Sequence, residues 1–91
     1  MILCTGESLI DMVPQDGALR PLPGGAVYNT AIALGRLGAP TGYLWPISRD
    51  PFGEQLLRPL EEAGVVTGFC PRTDRLTTLA LVTLEGGDAR Y

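Results

Sequence analysis

Asp11, Gly24, Gly25 and Asn29 are the residues of this sequence whose types and spacing could do chemistry. Asp11 is a carboxylate inside the largely apolar stretch Ser8-Leu9-Ile10-Asp11-Met12-Val13. If buried and ionised it must find donors, because an unpaired buried charge costs an amount comparable to the whole stability of a small domain. On an edge strand it would face water instead. Gly24 and Gly25 can bring bare backbone against a ligand or take up positive φ, and they lead directly into a run that reads as a helix. Asn29 stands within a turn of that helix's N-terminus, where unpaired N–H groups carry a partial positive charge. A carboxylate, an amide and free backbone N–H groups fix acceptors and donors in space, as a neutral polyol requires, without histidine or metal. A plain turn at the glycines and a local cap at Asn29 is the alternative. A dinucleotide loop is excluded by spacing: GGAVYN does not fit GxGxxG, and no acidic residue ends a strand about 20 residues on.

The elements that must hold these residues follow from pattern. Ile2-Leu3-Cys4 ending in Thr5-Gly6 predicts a short core strand. Residues 8–13 and 18–22 flank Pro14-Gln15-Asp16-Gly17, whose Asp-Gly pair predicts a hairpin. Val27, Ala31 and Leu34 recur at helical spacing with Tyr28, Ile32 and Gly35 beside them, predicting a buried helix over 26–37 that stops at Gly38 before Pro40. Thr41–Trp45 predicts a strand parallel to Ile2–Thr5, since strand, helix and strand in succession close that way. Asp50 is placed to cap a helix starting at Pro51 and ending at Gly64, with Phe52, Leu56, Leu57 and Leu60 as its apolar stripe. Pro59 predicts a kink or early break in it. Val65-Val66 begins a strand, residues 69–75 read as an irregular surface traverse, and TTLALVTL (77–84) reads as one strand turning at Glu85-Gly86-Gly87-Asp88.

Composition narrows the function. The chain has 91 residues, 45% of them hydrophobic, enough for one small core. Its net charge is -3, with no lysine and seven scattered arginines, so no basic patch argues for nucleic acid or an anionic membrane. Histidine is absent, and Cys4 and Cys70 stand far apart, which argues against metal and Cys-His chemistry and for two buried, reduced thiols. With neither a charged leader nor an apolar run of spanning length, the sequence reads as soluble and cytoplasmic.

The succession GESLID, GGAVYNTAIALGRLG, DPFGEQLLRPLEEAGV and TTLALVTLEGGDARY resembles the N-terminal part of the ribokinase-like (PfkB) carbohydrate kinases, nearest to fructokinases and 2-keto-3-deoxygluconate kinases. The likeness covers nearly all of the chain. Its most specific part is the glycine pair, the asparagine four positions after Gly25 and the helix ending in Leu-Gly. The resemblance implies an α/β fold, a three-layer α/β/α arrangement with a mostly parallel sheet and a small β-sheet lid, whose strands would lie near 8–22 and 77–91. It implies that Asp11 and Asn29 hydrogen-bond the sugar while Gly24 and Gly25 pack backbone against it. Ribokinases proper carry a lysine after the glycines; Ala26 stands there, which favours a hexose or a keto-acid sugar over ribose.

The family's glycine-rich anion hole, catalytic aspartate and nucleotide pocket belong to a C-terminal signature that these residues do not contain. Asp50 reads as a helix cap and Asp88 as a turn, so neither substitutes for the base. ATP and Mg²⁺ are implied by the resemblance, without residues for them here. The expectation is therefore the N-terminal sugar-binding and lid part of a truncated kinase domain, with residues 1–91 alone inactive and prone to self-association. The alternative is a non-catalytic module that binds sugar or forms a homodimer through the lid.

Overall fold

The computed structural model describes the backbone of residues 1–85 and 88–90 and the side chains of residues 1–83. The elements run β1 (Ile2–Thr5), β2 (Leu9–Gln15), β3 (Ala18–Gly24), α1 (Ala26–Arg36), β4 (Thr41–Leu44), β5 (Ile47–Ser48), α2 (Pro51–Glu62), β6 (Arg72–Thr73), β7 (Leu79–Leu81), β8 (Thr83–Glu85) and β9 (Asp88–Arg90). β1 and β4 pair in parallel, from Ile2 opposite Thr41 to Thr5 opposite Leu44, as the strand–helix–strand order predicts. β2 is the middle strand of a second, small sheet, antiparallel to β3 and parallel to β7. The Asp-Gly hairpin forms as read: Gln15 faces Ala18 across a two-residue turn in which Asp16 (φ 52) and Gly17 (φ 78) are both left-handed.

Three prolines lie in the small sheet, and each turns its missing N–H away from a ladder. The Ile10 amide donates to the Thr78 carbonyl (3.0 Å) and the Met12 carbonyl accepts from Val82 (3.1 Å), so even-numbered residues of β2 address β7. Pro14 continues that alternation at a point beyond the residues that β7 pairs. Pro21 and Pro23 oppose Met12 and Ile10, so their nitrogens face the outer edge of β3.

The core gathers where β1 and β4, β5 and the small sheet meet the two helices. Ile10, Tyr28, Tyr43, Ile47, Leu56 and Leu60 are fully buried. The Tyr28 and Tyr43 rings meet edge to face, centroids 5.8 Å apart at 81°. Each hydroxyl has a backbone acceptor: Tyr28 donates to Leu56 (2.6 Å) and Tyr43 donates to Gly6. Burial pushes the Tyr43 phenol up to about 12, and the Tyr28 phenol is pushed up as well. Cys4 and Cys70 are free and buried, with the Cys70 thiol donating to the Tyr43 carbonyl at 3.2 Å. No described helix is long and apolar enough to cross a membrane.

Several expectations need correction. α1 is not buried all round: Tyr28, Ala31 and Ile32 are buried, whereas Ala26, Asn29, Thr30, Ala33 and Arg36 are exposed. Among the described residues it has core partners on one side only, however apolar its sequence. α2 does not break at Pro59 but runs on to Glu62. The helix accepts a proline there because the carbonyl that loses its partner belongs to exposed Gln55, and the neighbouring Leu56 carbonyl takes the Tyr28 hydroxyl. Residues 69–75 are not wholly irregular, since β6 pairs in parallel with β5 and Arg72 donates to the carbonyls of Ile47 and Ser48. TTLALVTL is two strands divided at Val82, which turns into the core. Val66 contributes a single parallel bridge to Gly42. The predicted turn at Gly86-Gly87 lies outside the described residues.

Candidate functional site

β2 alternates strictly at the point that matters. Ile10 and Met12 face the core, so Leu9, Asp11 and Val13 project from the opposite face of the small sheet. Asp11 is half-buried in the middle strand, opposite Leu22 of β3 and Ala80 of β7. It is thus neither sealed in the core nor on an edge, and it makes no hydrogen bond among the described residues.

Gly25 is required by what surrounds it, and Gly24 leaves the room that Asp11 fills. A Cβ at Gly24 would stand 2.5 Å from Asp11 Oδ2 and 3.2 Å from its Cγ, so the bare backbone there is the floor on which the carboxylate lies. Gly25 has φ 121 and its missing Cβ would strike the Glu7 carbonyl, so both conformation and contact demand glycine. Gly25 is also the N-cap of α1, which has no side-chain cap and no acidic residue in its first turn. The first hydrogen bond of the helix runs from the Asn29 amide to the Gly25 carbonyl (2.9 Å). The amides of residues 26–28 are therefore the orphan donors of this terminus, with the partial positive charge that accompanies them.

Three of the four predicted residues thus touch or adjoin one another: Asp11 lies on Gly24, and Gly24 leads into Gly25. Asn29 is tied in through its backbone, while its side chain is exposed on the first turn of α1. The arrangement offers a carboxylate acceptor, orphan amide donors and a side-chain amide on an open surface. A cavity of about 220 Å³ lies elsewhere, between Glu7 and Ser8 on one side and Trp45, Ser48, Thr77 and Thr78 on the other. None of Asp11, Gly24, Gly25 or Asn29 lines it.

Two residues have contacts that sequence reasoning did not find. Tyr43 reads only as an apolar strand residue, yet its hydroxyl holds the Gly6 carbonyl where the chain leaves β1 for β2. Asp50 caps α2 as read, accepting from the Gly53 amide (2.8 Å), but it also accepts from the Thr77 amide (2.8 Å) and the Thr77 hydroxyl (2.6 Å). Burial pushes the Asp50 carboxyl up, but hydrogen bonds from Thr77, Gly53 and Ser48 outweigh it and hold the group at about 2. A capping motif carries no signal for a partner 27 residues away.

A profile described as pfkB family carbohydrate kinase matches residues 1–90. This chain belongs to that family. The pfkB chain is 49% identical over 96 residues to a fructokinase from Rhizobium leguminosarum bv. trifolii, an alignment covering 100% of this chain and 29% of that relative. A crystal structure of fructokinase from Xylella fastidiosa superposes with a TM-score of 0.84 at 39% identity, covering 98% of this chain and 30% of the other. A structure of fructokinase with bound ATP from the same organism superposes at a TM-score of 0.83, again at 39% identity, with 98% and 31% covered. The fold is therefore the ribokinase-like α/β fold, and this pfkB chain spans about a third or less of the length of the relatives it matches. Among the described residues no group of three carboxylate, cysteine or histidine side chains could hold a metal ion. Among the described residues Asp11 belongs to no such group and both oxygens of Asp50 are occupied, so the described residues do not build a Mg²⁺ site.

Proposed function

We propose that this chain supplies the sugar-binding and lid elements of a kinase that transfers phosphate from ATP to a hydroxyl of a fructose-like hexose or a keto-deoxy sugar acid. The observation that carries the reading is the Asp11 carboxylate lying on the bare backbone of Gly24, beside the orphan amides at the start of α1 and without a hydrogen-bond partner among the described residues. A carboxylate in that setting accepts from sugar hydroxyls, and the amides of the helix terminus and Asn29 donate to sugar oxygens. Ala26, exposed at the first helical position, puts no charge beside them, which suits a hexose. The small sheet, joined to the rest through residues 6–8, 24–25 and 76–78, acts as the lid. The role of this chain is to hold and orient the sugar. By family resemblance the base, anion hole, nucleotide and Mg²⁺ sites lie outside these residues.

The test is calorimetry and coupled ADP release on the full-length protein with a panel of hexoses and keto-sugar acids. Asp11→Ala is expected to weaken sugar binding by roughly 1.5–3 kcal/mol, the worth of hydrogen bonds to a charged group, with ATP affinity unchanged. An unaltered sugar Kd refutes the assignment. Exposed Leu19, Leu22, Leu79 and Leu81 on the small sheet favour a second reading, in which the lid pairs with another copy as a binding or dimerisation module. Sedimentation of a Leu79→Ser, Leu81→Ser variant, monomeric where the wild type is dimeric, supports it.

A further inference from the structure

We propose that Asp50 is a positioning residue for sugar recognition, acting through Thr77 and β7 to set where Asp11 stands; this rests on the reading of Asp11 as a sugar ligand. The connection is continuous. Asp50 Oδ1 accepts from the Gly53 amide at the start of α2 and from the Thr77 hydroxyl, while Oδ2 accepts from the Thr77 amide. The next carbonyl, that of Thr78, accepts from the Ile10 amide of β2 (3.0 Å). From there β7 runs beside β2 with Leu79 opposite Ile10 and Ala80 opposite Asp11. One carboxylate therefore fastens the helix that packs on the core to the residue from which the third strand of the small sheet departs.

The latch is built from groups with few alternatives. Asp50 is half-buried, and its own amide is held by Ser48 Oγ at 3.1 Å, so the carboxylate cannot swing away without losing several bonds at once. β7 is short, and its pairing to β2 covers only Ile10 to Met12. A strand of that length has little register of its own, so what anchors its entry sets the height of the strand against Asp11. Small displacements of a ligand-binding group are costly: an error of about 1 Å can reduce rates on the order of a hundredfold.

The geometry also provides a variant that separates capping from latching. In Asp50→Asn the side-chain oxygen still caps Gly53, and asparagine is as good an N-cap as aspartate. Its NH₂ then faces the Thr77 N–H, donor against donor, so the latch loses its amide bond and is left with the Thr77 hydroxyl on the retained oxygen. In the full-length protein Asp50→Asn is expected to raise the sugar KM by about tenfold or more, with the ATP KM close to wild type and only a modest fall in the thermal midpoint, from the lost charge and the unpaired Thr77 N–H. Asp50→Ala, which loses cap and latch, is expected to lower the midpoint further. Thr77→Val shifts the sugar KM in the same direction, and Thr77→Ser, which keeps both donors, does not. In the Asp11→Ala background Asp50→Asn adds little to the sugar KM, because the group it positions is gone.

Hydrogen exchange gives a readout independent of activity: in Asp50→Asn the Ile10 amide, bonded to Thr78, loses protection while α2 keeps its own. Unchanged exchange at Ile10 overturns the latch whatever the enzyme does. A sugar KM unaffected by Asp50→Asn but raised by Asp11→Ala overturns positioning while leaving the proposed function standing. A sugar KM unaffected by Asp11→Ala overturns the proposed function, and the positioning role with it.

Discussion

The Tyr43 hydroxyl donates to the Gly6 carbonyl, tying the centre of the parallel sheet to the first residue of the passage into the small one. Phenylalanine at 43 would keep the edge-to-face contact with Tyr28 and strand the Gly6 carbonyl. Tyr43→Phe is therefore expected to cost about 1–3 kcal/mol, the penalty of an unsatisfied, partly buried acceptor. Denaturant unfolding of the full-length protein measures it. A midpoint equal to wild type would mean that water replaces the bond freely.

The two glycines of the candidate site should respond differently to the same added methyl group. At Gly25 the side chain meets both a φ of 121 and the Glu7 carbonyl, and neither can give way without moving β1's exit or α1's start. At Gly24 the obstacle is the far end of the Asp11 side chain, which can rotate. Gly25→Ala is thus expected to lower the thermal midpoint strongly. Gly24→Ala is expected to keep the fold and lose sugar affinity about as Asp11→Ala does. Calorimetry and circular dichroism on the pair decide the matter, and a Gly24→Ala protein with full sugar affinity would contradict it.

Asp50 predicts a limb of acid sensitivity. Its carboxyl titrates at about 2 in the folded chain against a reference of 3.8, so the folded state binds its proton less readily than the unfolded state does. The stabilisation is present above about pH 4 and disappears as pH falls through 2. Unfolding midpoints of the wild type and Asp50→Ala, taken at intervals from pH 5 to 2, should converge towards the acid end. A constant gap across that window would show that the advantage of Asp50 does not depend on its charge.

What could be read from the sequence was what local chemistry specifies. The Asp16-Gly17 turn, the start of α2 at Asp50-Pro51 and the end of α1 before Gly38 each follow from one or two residues, and each formed as read. The pairing of β1 with β4 followed from element order. The misreadings concern non-local partners. Whether α1 is covered on all sides depends on what packs against it, and an apolar pattern cannot say. The division of TTLALVTL at Val82 depends on where β2 offers ladder groups, and β6 exists because β5 lies beside it. At the site, the glycine pair and Asp11 were conspicuous because their residue types are unusual for their surroundings. The second and third bonds of Asp50 were invisible because a helix cap already accounted for it.

The prolines of β3 restrict how this protein can meet a copy of itself. With Pro21 and Pro23 turning ring carbons outward where amides would stand, the outer edge of the small sheet lacks donors at every second residue over that stretch. A neighbouring strand approaching there would find acceptors and methylene groups, so the sheet cannot lengthen itself strand by strand from that side. A contact made along that edge would have to be side chain against side chain, which leaves it reversible and adjustable in angle in a way that a shared hydrogen-bond ladder is not.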